Sequence, residues 1–428
     1  MPSFVRFLRC VGKAAAKHGL RAVVGLAPMG GELYDIACDA WSDYRDENRD
    51  ADLRVEIQAL AQASPAEVRH AAEGLAREVA SHQPPEVQAA LATYLSQVPA
   101  AVRQSLRRPT DPTGTTVPGA WPLSKPQDLL PFLPARLPRF KPGDRPPGVG
   151  DWELVELLGV GGFGEVWKAR HATLASRKPV ALKFCLDAGA AAALRNEARL
   201  LDRLMEHGTH PGIVPLLQTY LHADPPCLEY ELVEGGDLAG FIQELAAHGG
   251  EAPQFGGEII SRMAEAVGFA HRLTPPIVHR DLKPANILVQ REPDGKVSPR
   301  VTDFGTGGLA AAAVIRQEGD RPATRPQTLP TVIRGAYTPI YASPQQRRGR
   351  QPDVRDDVYS LGMIWYQLLV GDTTAERPGG WSWRKRLEQR GMTSALLDVL
   401  DCCIDDDPNE RPPHAEDLSE RINAILRT

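Results

Sequence analysis

The sequence is short of cysteine, of long apolar runs and of net charge, and each shortage excludes a class of protein. Only 6 of its 428 residues are cysteine, and none forms a C-x-x-C pair. These cysteines are too few for a disulfide framework and lack zinc-ligand spacing, so we expect a reducing compartment. No apolar run approaches the roughly 18 residues of a membrane-spanning helix, and the stretch 22–27 is too short for a secretory signal.

The net charge is small as well. At pH 7 the formal charge is −5 and the isoelectric point is about 6.2, so no global basic field attracts nucleic acid. Pro2 excludes an N-myristoylated glycine. We therefore expect a soluble, cytoplasmic protein with no nucleic-acid partner and no transmembrane segment. At about 100–200 residues per domain, the length allows two or three domains.

The first of three compositional zones, residues 1–108, predicts an all-α module rich in alanine, glutamate and arginine. Ser64 followed by Pro65 and Glu67 is a helix-start pattern, and Pro85 marks the start of the next helix. Apolar stripes at helical spacing indicate that helix (Val87, Leu91, Tyr94, Leu95) and an earlier one (Leu33, Ile36, Ala37, Ala40, Trp41). We predict a bundle of several helices.

The beginning of this module is basic, with no acidic residue before Glu32. A predicted first helix has a basic face (Arg6, Arg9, Lys13, Lys17) and an apolar face (Phe4, Leu8, Val11, Ala15). A basic amphipathic helix can lie on an anionic membrane surface or on an acidic partner. We favour packing onto the bundle, because Gly12 and the small alanines weaken membrane insertion.

A proline-rich linker is predicted over residues 109–150. From Pro109 to Pro147, 11 of 39 residues are proline. Proline removes a backbone donor and fixes φ, so neither a helix nor a central strand can run through this stretch, which is expected to be semi-rigid. We favour a spacing role over a docking motif, because P-x-x-P patterns are common by chance.

Residues 151–428 carry the motifs that indicate chemistry. A glycine-rich turn between two strands lets backbone N–H groups approach phosphate oxygens, and comprises Gly159, Val160, Gly161, Gly162, Phe163 and Gly164. A strand, not a helix, continues through Val166, which argues against a dinucleotide-binding fold. Lys183 lies on a short apolar strand and needs an anionic partner, which Glu197 in the helical run 190–206 can supply.

Two longer motifs follow, VHRDLKPANILV at 278–289 and VTDFG at 301–305. With the glycine-rich turn and the lysine strand, in the same order and spacing, they make residues 151–428 resemble a protein kinase domain. The resemblance is to the bacterial eukaryotic-like (Hanks-type) Ser/Thr protein kinases. It implies an α+β, bilobal protein-kinase fold, with a small β-rich lobe and a large α-helical lobe, preceded by the all-α N-terminal module.

The resemblance also implies roles for single residues. Lys183 would hold the α- and β-phosphates of ATP with Glu197 as its partner, and Asp281 would be the catalytic base. Lys283 would contact the γ-phosphate, as in the Ser/Thr-directed members of the family. Asn286 and Asp303 would bind Mg²⁺, a hard cation that prefers oxygen ligands.

The resemblance places the rest of the ATP site as well. The residues that would surround the nucleotide are Gly159, Val160, Gly161, Gly162, Phe163, Gly164 and Val166. The backbone C=O of Glu231 and the N–H of Val233 would pair with the adenine edge, and Tyr230 would close the inner pocket to larger ligands. Asp357 resembles the aspartate that ties down the catalytic loop.

The sequence departs from the kinase pattern at Gln345, where the family has a glutamate that pairs with the arginine matched by Arg411. An arginine buried without its counter-charge costs on the order of a few kcal/mol, so we expect a softer substrate-binding platform but an active enzyme. Glu410 is a candidate replacement for the missing charge.

The activation segment, from residue 303 to residue 345, is long at 43 residues. A segment of this length is expected to be poorly ordered. A sharper hypothesis makes Thr324, Thr328 or Thr331 an autophosphorylation site whose phosphate pairs with Arg280 and orders the segment.

We therefore predict a Ser/Thr protein kinase that transfers the γ-phosphate of ATP to Ser and Thr hydroxyls of proteins, autophosphorylates, and recruits a protein partner through residues 1–108. The alternative is a nucleotide-responsive scaffold with little phosphotransfer, in which residues 1–108 are the effector. The intact set of phosphate-handling residues, Lys183, Asp281, Asn286 and Asp303, favours the enzyme.

Overall fold

The computed structural model describes residues 4–18, 30–47, 52–106, 111, 114–117, 123–134, 138–160, 164–186, 191–247, 253–292, 296–304, 340–380 and 382–427. The chain forms two compact units, residues 1–184 and 185–428. Within the ranges just given, every helix is too short or too polar to cross a membrane.

The first unit begins with the helices α1 (Val5–His18), α2 (Gly30–Glu47), α3 (Leu53–Gln62), α4 (Pro65–Val79) and α5 (Pro85–Leu106). Helix α4 starts as predicted, because the Ser64 side chain accepts the N–H of Glu67 while the Glu67 carboxylate accepts the N–H of Ser64. Along α5, Leu91, Tyr94 and Leu95 are fully buried. The predicted all-α segment is confirmed.

The apolar face of α1 lies in the core of this bundle. Its four predicted members, Phe4, Leu8, Val11 and Ala15, are all buried. Glu56 on α3 holds the same helix: its buried carboxylate accepts Arg6 Nε at 2.7 Å, the N–H of Phe7 at 2.9 Å and the Tyr44 hydroxyl at 3.0 Å. The apolar face of α1, which the sequence pattern allowed to lie on a membrane, is therefore covered by the other helices of the module.

Part of the predicted linker packs against this bundle. A 3₁₀ helix, Pro126–Phe132, lies beside α2 and α5. Leu129, Phe132 and Leu133 are buried in the same apolar core as the five helices. A role in spacing alone therefore does not describe this stretch, although the boundaries at residues 109 and 150 remain a prediction.

Three strands close the first unit: β1 (Trp152–Val160), β2 (Gly164–His171) and β3 (Val180–Cys185), neighbours in that order. β1 and β2 are antiparallel, with Val160 opposite Glu165, so the glycine-rich turn joins them as a hairpin. Burial alternates along the strands. Glu165, Trp167, Ala169, Val180, Leu182 and Phe184 lie on the buried face, and Val166 and Lys183 lie on the other face.

The second unit contains two hairpins and most of the helices. The hairpins are β4 (Leu216–Tyr220) with β5 (Cys227–Glu231), and β6 (Ile287–Arg291) with β7 (Val297–Val301). The helices are α6 (Ala191–Glu206), α7 (Leu238–Ala247), α8 (Pro253–His271), α9 (Pro344–Arg347), α10 (Val354–Val370), α11 (Ser382–Gln389), α12 (Ser394–Cys403) and α13 (Ala415–Leu426).

Helices α8 and α10 form the centre of the second unit, and β7 and α13 pack on α8. Asp353 caps the start of α10 in a reciprocal pattern with Asp356, and Gly371 at φ +75° ends the helix. This cap fixes the first turn of α10, in which Asp356 and Asp357 are both buried. The predicted fold class, an all-α segment followed by antiparallel strands and a helical region, is confirmed.

Candidate active site

The predicted catalytic loop, residues 279–286, is held by the first turn of α10. Asp357 is fully buried, and its oxygens accept the backbone N–H groups of His279 and Arg280, each at 2.8 Å. His271, the last residue of α8, lies 2.9 Å from the same carboxylate. Burial by itself raises the pKa of Asp357, but the bonds with His271 and the backbone outweigh it and hold this pKa below its ordinary value.

Asp281 lies in the middle of this loop beside two other predicted site residues. Its Oδ2 is 2.9 Å from Nζ of Lys283 and 3.1 Å from Nδ2 of Asn286, which also donates to the backbone carbonyl of Asp281 at 2.8 Å. Burial raises the pKa of the Asp281 carboxyl, and the Lys283 ammonium opposes that rise. The three residues thus form a single cluster with a buried carboxylate at its centre.

Asp303 is placed next to the same loop by the residues on either side of it. The N–H of Thr302 donates to the backbone carbonyl of Asn286 at 3.0 Å, and the carbonyl of Thr302 lies 2.9 Å from Nε2 of His279. Phe304 is fully buried, and the centroids of its ring and the His279 ring are 4.8 Å apart. Asp303 has φ +64°, a conformation that few residues other than glycine adopt. The two predicted metal ligands are therefore neighbours.

Glu197 on α6 is buried and makes a contact that the sequence did not reveal. Its Oε1 accepts the hydroxyl of Tyr230 on β5 at 2.5 Å. Burial raises the pKa of Tyr230 well above its ordinary value, and the carboxylates of Glu197 and Asp303 raise it further. Tyr230 therefore stays protonated and remains a hydrogen-bond donor to Glu197.

We expect Tyr230→Phe to lower kcat/KM for ATP about three- to tenfold. The substitution removes a buried hydrogen bond to Glu197, the predicted partner of Lys183. Tyr220→Phe is the matched control, since it removes a hydroxyl that bonds Glu229 at 2.7 Å in the same hairpin. Steady-state kinetics of both variants measures the difference. Equal losses would mean that the hairpin, not the bond to Glu197, controls the rate.

The stretch after β5 is the predicted adenine-binding segment. Glu231 ends β5 with its carboxylate paired to Arg300, and Val233 lies two residues beyond. At Gly235, with φ +133°, an added Cβ would lie 2.2 Å from the carbonyl oxygen of Val289. Only glycine allows this approach, which brings the segment against β6 and so beside the catalytic loop.

The other predicted nucleotide residues belong to the first unit. Gly159 and Val160 end β1, Gly164 and Val166 begin β2, and Lys183 is half-buried in β3. Gly161, Gly162 and Phe163 lie outside the described residues. Val166 and Lys183 share the less buried face of the strands, and the roles of all these residues remain predictions.

Gln345 contacts Arg411 through a hydrogen bond in which the charged guanidinium donates to a neutral amide oxygen. Its Oε1 accepts Arg411 Nη2 at 2.8 Å, and its Nε2 donates to the backbone carbonyl of Asp406 at 2.6 Å. The other nitrogens of Arg411 donate to the carbonyls of Asp405, at 2.8 Å, and Arg355, at 3.2 Å. Each guanidinium nitrogen of Arg411 therefore has an acceptor.

This arrangement removes only part of the weakness expected at Arg411. Backbone carbonyls and the ring of Tyr359, 5.0 Å from the guanidinium carbon, take the place of the family's carboxylate. Glu410 is exposed and is not the replacement. The hydrogen-bond needs of Arg411 are met, but burial lowers its pKa and so still penalises its charge. The softer platform therefore stays a prediction.

We expect Gln345→Glu, which restores the family residue, to lower the free energy of unfolding by about 1 kcal/mol, because the new carboxylate would face the carbonyl of Asp406. The melting temperature should fall by roughly 2–4 °C. Gln389→Glu, an exposed position, controls for the added charge. A higher melting temperature for Gln345→Glu would show that the charged pair is the better solution here.

Arg280, the residue before the predicted base Asp281, is buried with φ +63°. Its Nη2 donates to the carbonyl of Arg350 at 3.2 Å, and its Nε lies 3.7 Å from a carboxylate oxygen of Asp356. Its own carbonyl accepts Nε2 of Gln346 at 2.6 Å. The candidate phosphorylation sites Thr324, Thr328 and Thr331 lie outside the described residues, so their pairing with Arg280 stays a prediction.

Three contributors to this site were missed from the sequence: His271, Gln346 and the hydroxyl of Tyr230. Gln346 and Arg280 are 66 positions apart, and His271 and Asp357 are 86 apart. None of the three belongs to a motif with a fixed spacing to its partner. No local signal in the sequence identifies such contacts.

Residues 152–422 match the family model of the protein kinase domain. Serine/threonine-protein kinase PkaA of Streptomyces coelicolor is 29% identical over 297 residues, which cover 64% of this chain and 49% of PkaA. Serine/threonine-protein kinase PknB of Mycolicibacterium smegmatis is 33% identical over 230 residues, which cover 52% of this chain and 32% of PknB.

Serine/threonine-protein kinase pkn2 of Myxococcus xanthus is 28% identical over 295 residues, which cover 64% of this chain and 32% of pkn2. The chain thus spans half or less of the length of these three relatives. A solved kinase domain, a variant of PknI from Mycobacterium tuberculosis, has a TM-score of 0.47 and 20% identity, covering 67% of this chain and 98% of its own. Because the family model matches well over half of the sequence, this chain belongs to the protein kinase family.

Proposed function

We propose that this protein is an active Ser/Thr protein kinase that transfers the γ-phosphate of ATP to Ser and Thr hydroxyls of proteins. The observation that carries the proposal is the cluster in which the Asp281 carboxylate meets the Lys283 ammonium at 2.9 Å and the Asn286 amide at 3.1 Å. A carboxylate held in this way can accept a proton from an incoming hydroxyl.

The residues of this chain divide the work. Asp281 orients the substrate hydroxyl and takes its proton as the oxygen bonds to the γ-phosphorus, while the bond from that phosphorus to the β,γ-bridging oxygen breaks and ADP leaves. Lys283 supplies positive charge beside the transferred phosphate, and its lysine identity supports Ser/Thr-directed specificity. Asp357 and His271 keep the backbone of the loop in place. Catalysis of this kind depends mostly on positioning and charge neutralisation.

The donor set fits Mg²⁺. Asn286 directs its amide nitrogen toward Asp281, so its side-chain oxygen would be the atom that binds the metal. Asp303 would be the second ligand; it follows Thr302, whose N–H donates to the backbone carbonyl of Asn286. Two oxygen ligands suit Mg²⁺, which usually takes few protein ligands and completes its shell with phosphates and water. Among the described residues, no group of three or more His, Cys, Asp or Glu side chains is arranged to hold a metal ion. When bound, Mg²⁺ would neutralise phosphate charge.

The remaining parts of the proposal concern the nucleotide and the partners. ATP would lie with its phosphates at the glycine-rich turn, Lys183 and Glu197, and its adenine at Glu231 and Val233. The helical module, residues 1–108, would recruit a protein partner; its helices pack around one apolar core, which also includes Leu129, Phe132 and Leu133. We place the protein in a bacterial cytoplasm.

Phosphoamino-acid analysis tests the function. The full chain is incubated with Mg²⁺, γ-³²P-labelled ATP and a generic basic protein, and we expect label on serine and threonine but not on tyrosine. The Asp281→Asn variant distinguishes this enzyme from a contaminating kinase. Equal label from both proteins, or none from either, would leave only the alternative of a nucleotide-responsive scaffold.

A further inference from the structure

The buried carboxylate of Glu165 has no part in the chemistry proposed above. Glu165 is the first residue after Gly164 and is fully buried. Its Oε1 accepts the backbone N–H of Arg139 at 2.6 Å, and its Oε2 accepts the indole N–H of Trp167 at 2.8 Å. The base of the glycine-rich turn is therefore bonded to the tether segment, which we define as residues 138–150.

The tether segment makes further contacts along the strands. The ring of Phe140 packs against that of Phe184 on β3, with centroids 4.7 Å apart. The N–H of Gly143 donates to the carbonyl of Leu154 on β1 at 2.7 Å, and the N–H of Leu154 donates to the carbonyl of Asp144 at 2.9 Å. The segment thus touches β1, β2 and β3, which gives it a fixed place on them.

The tether segment supports the strands from the face opposite the nucleotide residues. Glu165 and Trp167 are on the buried face of β2, whereas Val166 between them is on the other face with Lys183. Side chains alternate along a strand, so a support behind Glu165 acts on the position of Val166 and the turn without entering the nucleotide site. The tether segment therefore supports the strands and leaves the nucleotide-facing side open.

The chain just before the tether segment is anchored in the helical module. Leu129 and Phe132 are buried in the helical core, and the Ser105 hydroxyl of α5 donates to the carbonyl of Pro131 at 2.6 Å. Helix α5 also contacts β1. Residues 126–134 thus pack on the helical module and residues 138–150 pack on the strands, with only three residues between the two stretches in the sequence.

We propose that the tether segment is a positioning element for nucleotide binding, which acts through the backbone of Arg139 on Glu165 and so on the glycine-rich turn. The inference rests on the proposed kinase function. A buried carboxylate that loses one of its donors is costly to keep in place, because it has been removed from water. Loss of the Arg139 bond should therefore move Glu165 and loosen the turn that holds the phosphates.

The test compares two substitutions at Arg139 in the full chain. Arg139→Pro removes the backbone N–H that Glu165 accepts, whereas Arg139→Ala keeps it and removes the same exposed side chain. Calorimetric titration with Mg²⁺ and a non-hydrolysable ATP analogue measures nucleotide affinity. We expect the dissociation constant of Arg139→Pro to be about five- to tenfold higher than that of Arg139→Ala, since both lose the side chain and only the first loses the N–H.

A second pair covers the case in which Arg139→Pro fails to fold. Trp167→Phe removes a second donor to Glu165, and Trp152→Phe changes a buried tryptophan at the far end of the same hairpin. We expect a weaker nucleotide affinity for Trp167→Phe than for Trp152→Phe. Equal affinities in the Arg139 pair, or in the tryptophan pair, would overturn the inference alone. Absence of nucleotide binding by the wild-type chain would overturn the proposed function as well.

Discussion

Replacement of Asp281 by asparagine should lower the rate of phosphate transfer about a hundred- to ten-thousandfold, the usual range for loss of a general base. Asparagine keeps the shape of the side chain and still accepts a hydrogen bond, but it cannot take up the proton of the substrate hydroxyl. Lys283, now 2.9 Å away, and Asn286, 3.1 Å away, can still donate to the neutral amide oxygen of the variant. The loop should therefore keep its conformation.

The measurement is single-turnover transfer of labelled phosphate, with nucleotide affinity measured on the same proteins. We expect the affinity for ATP to stay within about twofold, because in the proposed mechanism Asp281 acts on the hydroxyl and not on the nucleotide. Since burial raises the pKa of Asp281, the wild-type rate should begin to fall in acid at a higher pH than an exposed aspartate would give. A variant that keeps wild-type transfer rates would show that Asp281 is not the base.

Asp357→Asn should cost about 3 kcal/mol of unfolding free energy, because it removes a buried charge that accepts two backbone N–H groups and meets His271. An asparagine can supply only one oxygen to the two backbone donors of the loop. We expect the melting temperature to fall by roughly 6–12 °C and phosphate transfer to fall with it. Urea unfolding followed by circular dichroism measures the stability.

The pH dependence of this loss has a definite sign. The pKa of Asp357 is lowered from 3.8, so the stability it contributes is fully present above pH 3.8 and is lost as pH falls through the folded-state pKa. The stability difference between wild type and Asp357→Asn should be largest at neutral pH and smaller in acid. A difference that does not change with pH would show that the charge is not its source.

The neighbouring Asp356 provides the matched control. It is also buried, but burial raises its pKa, so its charged form is penalised where that of Asp357 is favoured. Its Oδ1 accepts the Ser343 hydroxyl at 2.5 Å, a bond that an asparagine oxygen can still accept. We expect Asp356→Asn to be the milder substitution at neutral pH. Equal losses would show that the two carboxylates do not differ as described.

Local patterns in the sequence were sufficient for much of the fold. The helix start at Ser64 follows from side chains that bond within three residues, and the apolar stripe of α5 follows from helical spacing. The order of the motifs predicted that Asp281 and Asn286 share one loop, and the bond between them at 3.1 Å agrees with it; the metal-binding role of Asp303 stays a prediction. In each case the partners are close in sequence or belong to a motif of fixed spacing.

Contacts between distant residues were not predictable in the same way. Tyr230 and Glu197 are 33 positions apart, and the sequence alone indicated only the bulk of the tyrosine. The prolines of the linker show which hydrogen bonds its backbone cannot make, but they do not show that Leu129 and Phe132 pack into the helical core. Gln345 shows the same limit, because the acceptors that replace a carboxylate at Arg411 are backbone carbonyls.

In the mechanism that we propose, Asn286 and Asp303 hold the metal of a nucleotide complex while Asp281 faces the substrate hydroxyl. A crystal structure with Mn²⁺ in place of Mg²⁺ and a non-hydrolysable ATP analogue tests it, since the anomalous signal locates the ion. We predict the ion about 2.1 Å from the side-chain oxygens of both residues, with the Asp281 carboxylate open toward the γ-phosphate. An ion bound elsewhere, or an Asp281 carboxylate directed away from the phosphate, would contradict the account.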